Sequence, residues 1–153
     1  MAAAVVSVRH VGVVVTNLDR SLVFYRDLLG LRETRTMHES GDYVDTLLGL
    51  RDASVVTIKL AAPSGETLVE LLAFGSPKAT NVERTFVDPG PTHIAFTVGN
   101  LETFVDRLAE AGVRFTAPPQ ISPDGCAKVT FCFDPDGTPI ELVEMLDADR
   151  RTA

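Results

Sequence analysis

Apolar residues fall along this chain in two alternating rhythms, and the same order of rhythms occurs twice. Val5 to Val15 is dense in β-branched residues and reads as a strand. Asn17 follows as a helix cap, and Leu18, Leu22, Tyr25 and Leu29 recur at spacings that place them on one helix face. Gly30 ends that helix, and Leu31 to His38 is a second strand. Tyr43, Leu47 and Leu50 fit a short helix within the stretch from Ser40 to Leu50. Val55 to Ala61 and Thr67 to Ala73 form a hairpin turned at Pro63-Ser64-Gly65.

Gly75 to Pro91 has prolines and no period, and reads as a connection between halves. The order then repeats. Thr92 to Val98 is a strand, and Asn100 to Ala111 is a helix with Leu101, Phe104, Val105 and Leu108 inward and Gly112 at its end. Val113 to Thr116 is a short strand. Lys128 to Asp134 and Pro139 to Met145 pair around Pro135-Asp136-Gly137. Each half is β-α-β-β-β, giving an α+β fold. One helix cannot cover a whole sheet, so the two modules are expected to pack as a single domain over residues 1–153. Module one spans about residues 5–74, the linker about 75–90 and module two about 91–147.

The repeat carries chemistry with it. His10 opens the first strand seven residues before Asn17-Leu18, and His93 stands seven residues before Asn100-Leu101. Each half also has a late strand glutamate, Glu70 between Val69 and Leu71, and Glu141 between Ile140 and Leu142. Alternation puts each carboxylate opposite to its apolar neighbours, and puts His10 with Gly12 and Val14, and His93 with Ala95 and Thr97. A single strand glutamate is most simply a solvated one, and a single histidine most simply a satisfied one. Recurrence of both at matching positions favours two imidazoles and two carboxylates assembled for a divalent cation.

Composition narrows the partners. A chain of 153 residues with 45% hydrophobic and 23% charged residues is globular and large enough for a core. The net charge of −7 and the absence of basic runs exclude a nucleic-acid footprint. No apolar stretch reaches a membrane span, and the start lacks the basic region of a signal peptide. Cys126 and Cys132 form neither a CxxC pair nor a disulfide framework, which fits a reduced, cytoplasmic setting. Both are read as small hydrophobes. His38 and Arg9 read as exposed strand residues, and Asp134-Pro135-Asp136-Gly137 as a hairpin turn instead of a calcium loop. Tyr43 and Phe96 are candidates for either a pocket wall or the core.

The residues His10-Val-Gly-Val-Val-Val-Thr-Asn17, Phe24-Tyr25-Arg26-Asp27-Leu28-Leu29-Gly30-Leu31, Thr92-His93-Ile94-Ala95-Phe96 and Asp134-Pro-Asp-Gly-Thr-Pro-Ile-Glu141-Leu142 resemble the vicinal oxygen chelate superfamily. Glyoxalase I, methylmalonyl-CoA epimerase, extradiol dioxygenases and fosfomycin- and bleomycin-resistance proteins belong to it. The resemblance runs from about Val6 to Met145. It implies paired modules forming a cup around one metal ion, with His10, Glu70, His93 and Glu141 at the ligand positions, and a homodimer.

Glu70 at the second ligand position is similar to glyoxalase I. Extradiol dioxygenases resemble a two-histidine, one-carboxylate site there, and methylmalonyl-CoA epimerases usually carry glutamine. The resemblance therefore implies a lyase or isomerase that moves a proton beside a carbonyl of a small-molecule substrate through a metal-stabilised enolate. Nickel, cobalt, zinc or manganese would serve, with Glu141 as first candidate base and Glu70 as second. The alternatives are an extradiol-type dioxygenase using iron, or a non-catalytic protein that binds a small molecule or antibiotic.

Overall fold

A computed structural model describes residues 4–65 and 67–146. The chain divides into two compact units, Met1–Val82 and Glu83–Ala153, and the division falls within the expected linker. Each unit is a four-stranded sheet with the same topology, the α+β arrangement expected of β-α-β-β-β modules.

In the first unit β1 (His10–Val14) leads into a helix that begins as α1 (Leu18–Leu22) and continues in π geometry over Val23–Leu28. Then follow β2 (Arg32–Ser40), α2 (Asp42–Leu48), β3 (Ser54–Ala61) and β4 (Leu68–Ser76). The sheet order is β1-β4-β3-β2, with β1 parallel to β4 and the other pairs antiparallel. The strand expected from Val5 begins only at His10; residues 4–9 are not in a strand, although the Arg9 carbonyl accepts from the Leu68 amide of β4. Asn17 caps α1 through its side-chain oxygen, which accepts from the Arg20 amide at 3.0 Å.

The π segment shifts the helix's inward face. Its amide of Leu29 reaches back to the Phe24 carbonyl, five residues away instead of four. Successive residues Phe24 and Tyr25 are thereby both buried, packed edge-on at 5.0 Å. Of the expected face only Tyr25 is fully buried, and Leu18, Leu22 and Leu29 are half-buried. Gly30 closes the helix at φ +80°, a conformation that other residues adopt at a cost.

The short helix α2 forms where expected, but its inward residue is Val44, which packs with Ala53 and Val55. Tyr43 and Leu47 are exposed. The Asp45 carboxylate decides this rotation. It accepts from the amides of Asp52 at 2.9 Å and Ala53 at 2.8 Å, tying the helix to the turn before β3.

The second unit runs β5 (Ile94–Thr97), α3 (Leu101–Glu110), β6 (Gln120–Ile121), β7 (Ala127–Phe133) and β8 (Pro139–Met145), in the order β5-β8-β7-β6. Asn100 caps α3 by accepting from the Thr103 amide at 3.0 Å. Leu101 and Leu108 are buried, with Phe104 and Val105 half-buried beside them. The stretch from Val113 to Thr116 is not a strand: it makes a single bridge, Phe115 to Cys132. Pro118 and Pro119 follow, and neither offers an amide hydrogen to a ladder, so regular pairing resumes only at Gln120.

In both units one sheet face is apolar and lies on the side of the long helix. Val13, Val69, Leu71, Ile58 and Leu60 form it in the first unit, and Ile140, Leu142 and Cys132 in the second. The opposite face carries the histidines and glutamates.

Candidate metal centre

Strand register brings each histidine to its glutamate. β1 and β4 run parallel with Gly12 level with Glu70, so His10, Gly12 and Glu70 share a face. His10 Nε2 lies 3.1 Å from Glu70 Oε2. In the second unit Ala95 is level with Glu141, and His93 stands one residue before β5 on the same face. His93 Nε2 lies 3.2 Å from Glu141 Oε2. The same contact is thus built twice, by the same strand arrangement.

These separations suit a cation. Two donors bound at about 2.0–2.2 Å on neighbouring corners of a coordination sphere lie about 3 Å apart. Imidazole nitrogen with carboxylate oxygen is a donor set that zinc, nickel, cobalt and manganese accept. Within either unit the described residues gather such donors in twos, with no group of three or more. The Thr92 hydroxyl lies 2.8 Å from His93 Nδ1. With Nδ1–H donating to that oxygen, Nε2 keeps its lone pair for a cation, which is how the outer contacts of a ligating histidine set its tautomer.

The surroundings of the two carboxylates differ. Glu70 lies opposite Lys59 of β3, and the Lys59 ammonium is 2.7 Å from Glu70 Oε1. Both side chains are nearly buried, at 15% and 11% exposure. At the matching place in the second unit, Phe131 lies opposite Glu141. Its ring meets His93 edge-on at 5.2 Å and is itself packed against Phe86. Among the described residues His93 is the one polar partner of Glu141, whose side chain is 23% exposed. Glu70 is fixed at both oxygens, and Glu141 at one.

On the face of the first unit that carries His10 and Glu70 lies a cavity of about 390 Å³, lined by His10, Glu70, Lys59, Thr57, Tyr43 and Leu47 among others. The Thr57 hydroxyl donates to Glu39 Oε2 at 3.1 Å, holding that carboxylate against β3. Tyr43 is therefore a cavity residue. Phe96, level with Leu142, faces away from Glu141 and belongs to the apolar side.

The chain belongs to the Glyoxalase/Bleomycin resistance protein/Dioxygenase superfamily. The sequence profile of that family matches residues 7–142. Its relatives include YwkD of Bacillus subtilis, 31% identical over 90% of this chain and 96% of that protein. The lactoylglutathione lyase of Salmonella typhimurium is 27% identical, covering 92% of this chain and 94% of the enzyme. A 2-epi-5-epi-valiolone epimerase of Actinomyces sp. is 25% identical, covering 92% and 80%. In fold, the chain is similar to a glyoxalase family protein from Bacillus cereus, with a TM-score of 0.86 at 22% identity over 96% of this chain and 99% of that one.

The lesser candidates fall outside the two His–Glu contacts. His38 is exposed on β2, next to Met37 and Glu39 but on the other face. Arg9 is exposed, and its carbonyl accepts from the Leu68 amide. Cys132 is buried, and that burial pushes its thiol up to about 12. Cys126 lies just before β7 and is half-buried. Asp134 is a buried turn carboxylate that accepts from the amides of Asp136 at 2.9 Å and Thr138 at 2.7 Å. No helix among the described residues is long and apolar enough to cross a membrane.

Sequence reasoning missed three residues here: Lys59, Thr92 and Phe131. Alternation along β3 was the available signal for Lys59, because Thr57 and Lys59 are the polar positions in a run of Val, Ile and Leu. Nothing short of the β7–β8 register marks Phe131.

Proposed function

We propose that this protein is a metal-dependent lyase or isomerase that transfers a proton on carbon beside a carbonyl group of a small molecule. The observation that carries the reading is the pair of repeat-related contacts, His10 to Glu70 at 3.1 Å and His93 to Glu141 at 3.2 Å. His10, Glu70, His93 and Glu141 are the proposed ligands of one divalent ion: nickel, cobalt, zinc or manganese. When bound, such an ion supplies a Lewis acid that lowers the cost of negative charge on the substrate's carbonyl oxygen.

The protein's own part is proton handling. Glu141 is the proposed general base, because one contact holds it where two hold Glu70. Its carboxylate takes the proton from the carbon and keeps it on one oxygen. Returning that proton to the neighbouring carbon gives isomerisation, as in a glyoxalase; proton return on the opposite face gives epimerisation. The second outcome needs a second proton donor, and Glu70 is the candidate. His10 and His93 would hold the ion in place. Two of the relatives, a lactoylglutathione lyase and a 2-epi-5-epi-valiolone epimerase, bear names that accord with this class of reaction. A cytoplasmic homodimer is part of the proposal.

The test is metal analysis of the purified protein, followed by a screen of hemithioacetals, thioesters and catechols in deuterated water. The proposal expects deuterium to enter at the carbon beside the carbonyl, at a rate that depends on added metal. Oxygen uptake with a catechol and iron would replace it with ring cleavage.

A further inference from the structure

The first unit's sheet carries more positive charge beside its His–Glu pair than the pair itself uses. Reading across the strands, Gly12, Glu70, Lys59 and Arg35 occupy one row. Lys59 and Arg35 are directly opposed on β3 and β2, so their side chains leave the same face. Like charges at opposed positions destabilise a sheet unless an anion lies between them. Glu70 supplies only one negative charge, and it shares that with His10. Among the described residues Arg35 has no ion pair, and it is exposed. The Lys59 ammonium has three N–H bonds, of which Glu70 Oε1 accepts one.

Gly12, Glu70 and Lys59 of this row line the cavity, Arg35 stands next to Lys59 outside the lining, and the cavity has a second character. Leu47, Leu48, Tyr43 and Leu72 give it an apolar wall. Three of these, Tyr43, Leu47 and Leu48, are exposed large side chains clustered on α2, and a cluster of exposed apolar groups is a mark of a binding surface. At about 390 Å³ the space suits a small metabolite and not a macromolecular segment.

We propose that Lys59 and Arg35 anchor the carboxylate of a small oxo acid, whose alkyl part lies against Tyr43, Leu47 and Leu48. This rests on the proton-transfer reading above and names its substrate class. Were Glu70 to ligate a cation, less of its negative charge would be left for Lys59, and a substrate carboxylate would make up the difference. Glu39 does not compete for the same place. It stands level with Val55, further along the strands, and its oxygen is taken by the Thr57 hydroxyl.

The test is calorimetric binding of 2-oxohexanoate and of its neutral methyl ester to nickel-loaded protein, with Lys59→Met and Arg35→Gln. Arg35 is exposed, so its variant keeps the fold even if Lys59→Met disturbs Glu70. The acid should bind at least roughly tenfold tighter than the ester, the scale of a charge-assisted hydrogen bond. Each variant should lower the acid-to-ester ratio and leave ester affinity within about twofold. Equal binding of acid and ester, no binding of the acid, or ratios unchanged in both variants would overturn the anchor. Deuterium exchange beside the carbonyl, followed by NMR in the same samples, separates the two proposals. Charge-dependent binding without exchange leaves the anchor standing and removes the proton-transfer reading. Exchange with acid and ester at equal rates and affinities does the reverse.

Discussion

Replacing Glu141 by glutamine separates the two tasks assigned to that side chain. Glutamine keeps the shape and one ligand oxygen, and cannot accept a proton from carbon. Loss of a general base costs on the order of 10²–10⁴ in rate, about 2.7–5.4 kcal/mol in the barrier. The cost to the fold should be small. The interaction lost is one His93 contact at 3.2 Å, with both side chains partly exposed at 35% and 23%. Such pairs contribute about 0–1 kcal/mol.

The matching change in the first unit should behave differently. Glu70→Gln leaves the Lys59 ammonium, 15% exposed, facing a neutral amide. Losing a charge-assisted bond there should cost about 1.5–3 kcal/mol in stability. The assay pairs NMR of solvent deuterium incorporation with urea unfolding and calorimetric metal titration for both variants. Expected is a Glu141→Gln protein with near-normal stability, metal affinity reduced less than tenfold and exchange nearly abolished. Normal exchange in Glu141→Gln would refute its role as base. Equal destabilisation by the two variants would refute the inequality of the two carboxylates.

His10→Ala and His93→Ala should each abolish metal retention and turnover together, measured by elemental analysis after gel filtration; a variant retaining a full equivalent of metal argues against that histidine as a ligand. Burial pushes the Cys132 thiol up to about 12, so the folded state holds a proton that the unfolded chain releases near its ordinary value. Stability contributed by this group is complete below that ordinary value and is lost as pH rises toward 12, and a Cys132→Ala protein should show a shallower fall in urea midpoint over that window. Light scattering should give the mass of a dimer; a monomer mass across a wide concentration range would reject the homodimer.

Local signals in the chain were enough for most of the fold. Asn17 and Asn100 announce helices because their side chains satisfy the first free amides, and Gly30 and Gly112 end them in left-handed geometry. Signals failed where a feature depended on non-local contacts. The π segment after Leu22 cannot be read from an α-helical period, since the same apolar residues serve either winding. Tyr43 and Leu47 have the spacing of a buried face, yet Val44 turns inward because Asp45 is tied to the amides of residues 52 and 53. The strand expected at Val113 to Thr116 has suitable residues, but two prolines nearby deny it a ladder.

The candidate site shows the same division between what repeats and what does not. Duplication exposed His10, Glu70, His93 and Glu141, because a feature present twice stands out against diverged surroundings. By the same logic it concealed Lys59, whose counterpart is Phe131. That substitution places a cation beside one carboxylate and an aromatic ring beside one histidine, across an otherwise repeated frame. Lys59 and Arg35 in the first unit, and Phe131 and Phe86 in the second, make the units unequal in charge, and this inequality is what the proposed carboxylate anchor rests on. Exchanging Lys59 for phenylalanine would give β3 the residue type that β7 carries opposite its glutamate, with Arg35 left in place. It should cost the acid its binding advantage over the ester by calorimetry, and leave the His93–Glu141 contact unaltered in a crystal structure. Retention of that advantage would show that the orientation of the substrate does not come from this asymmetry.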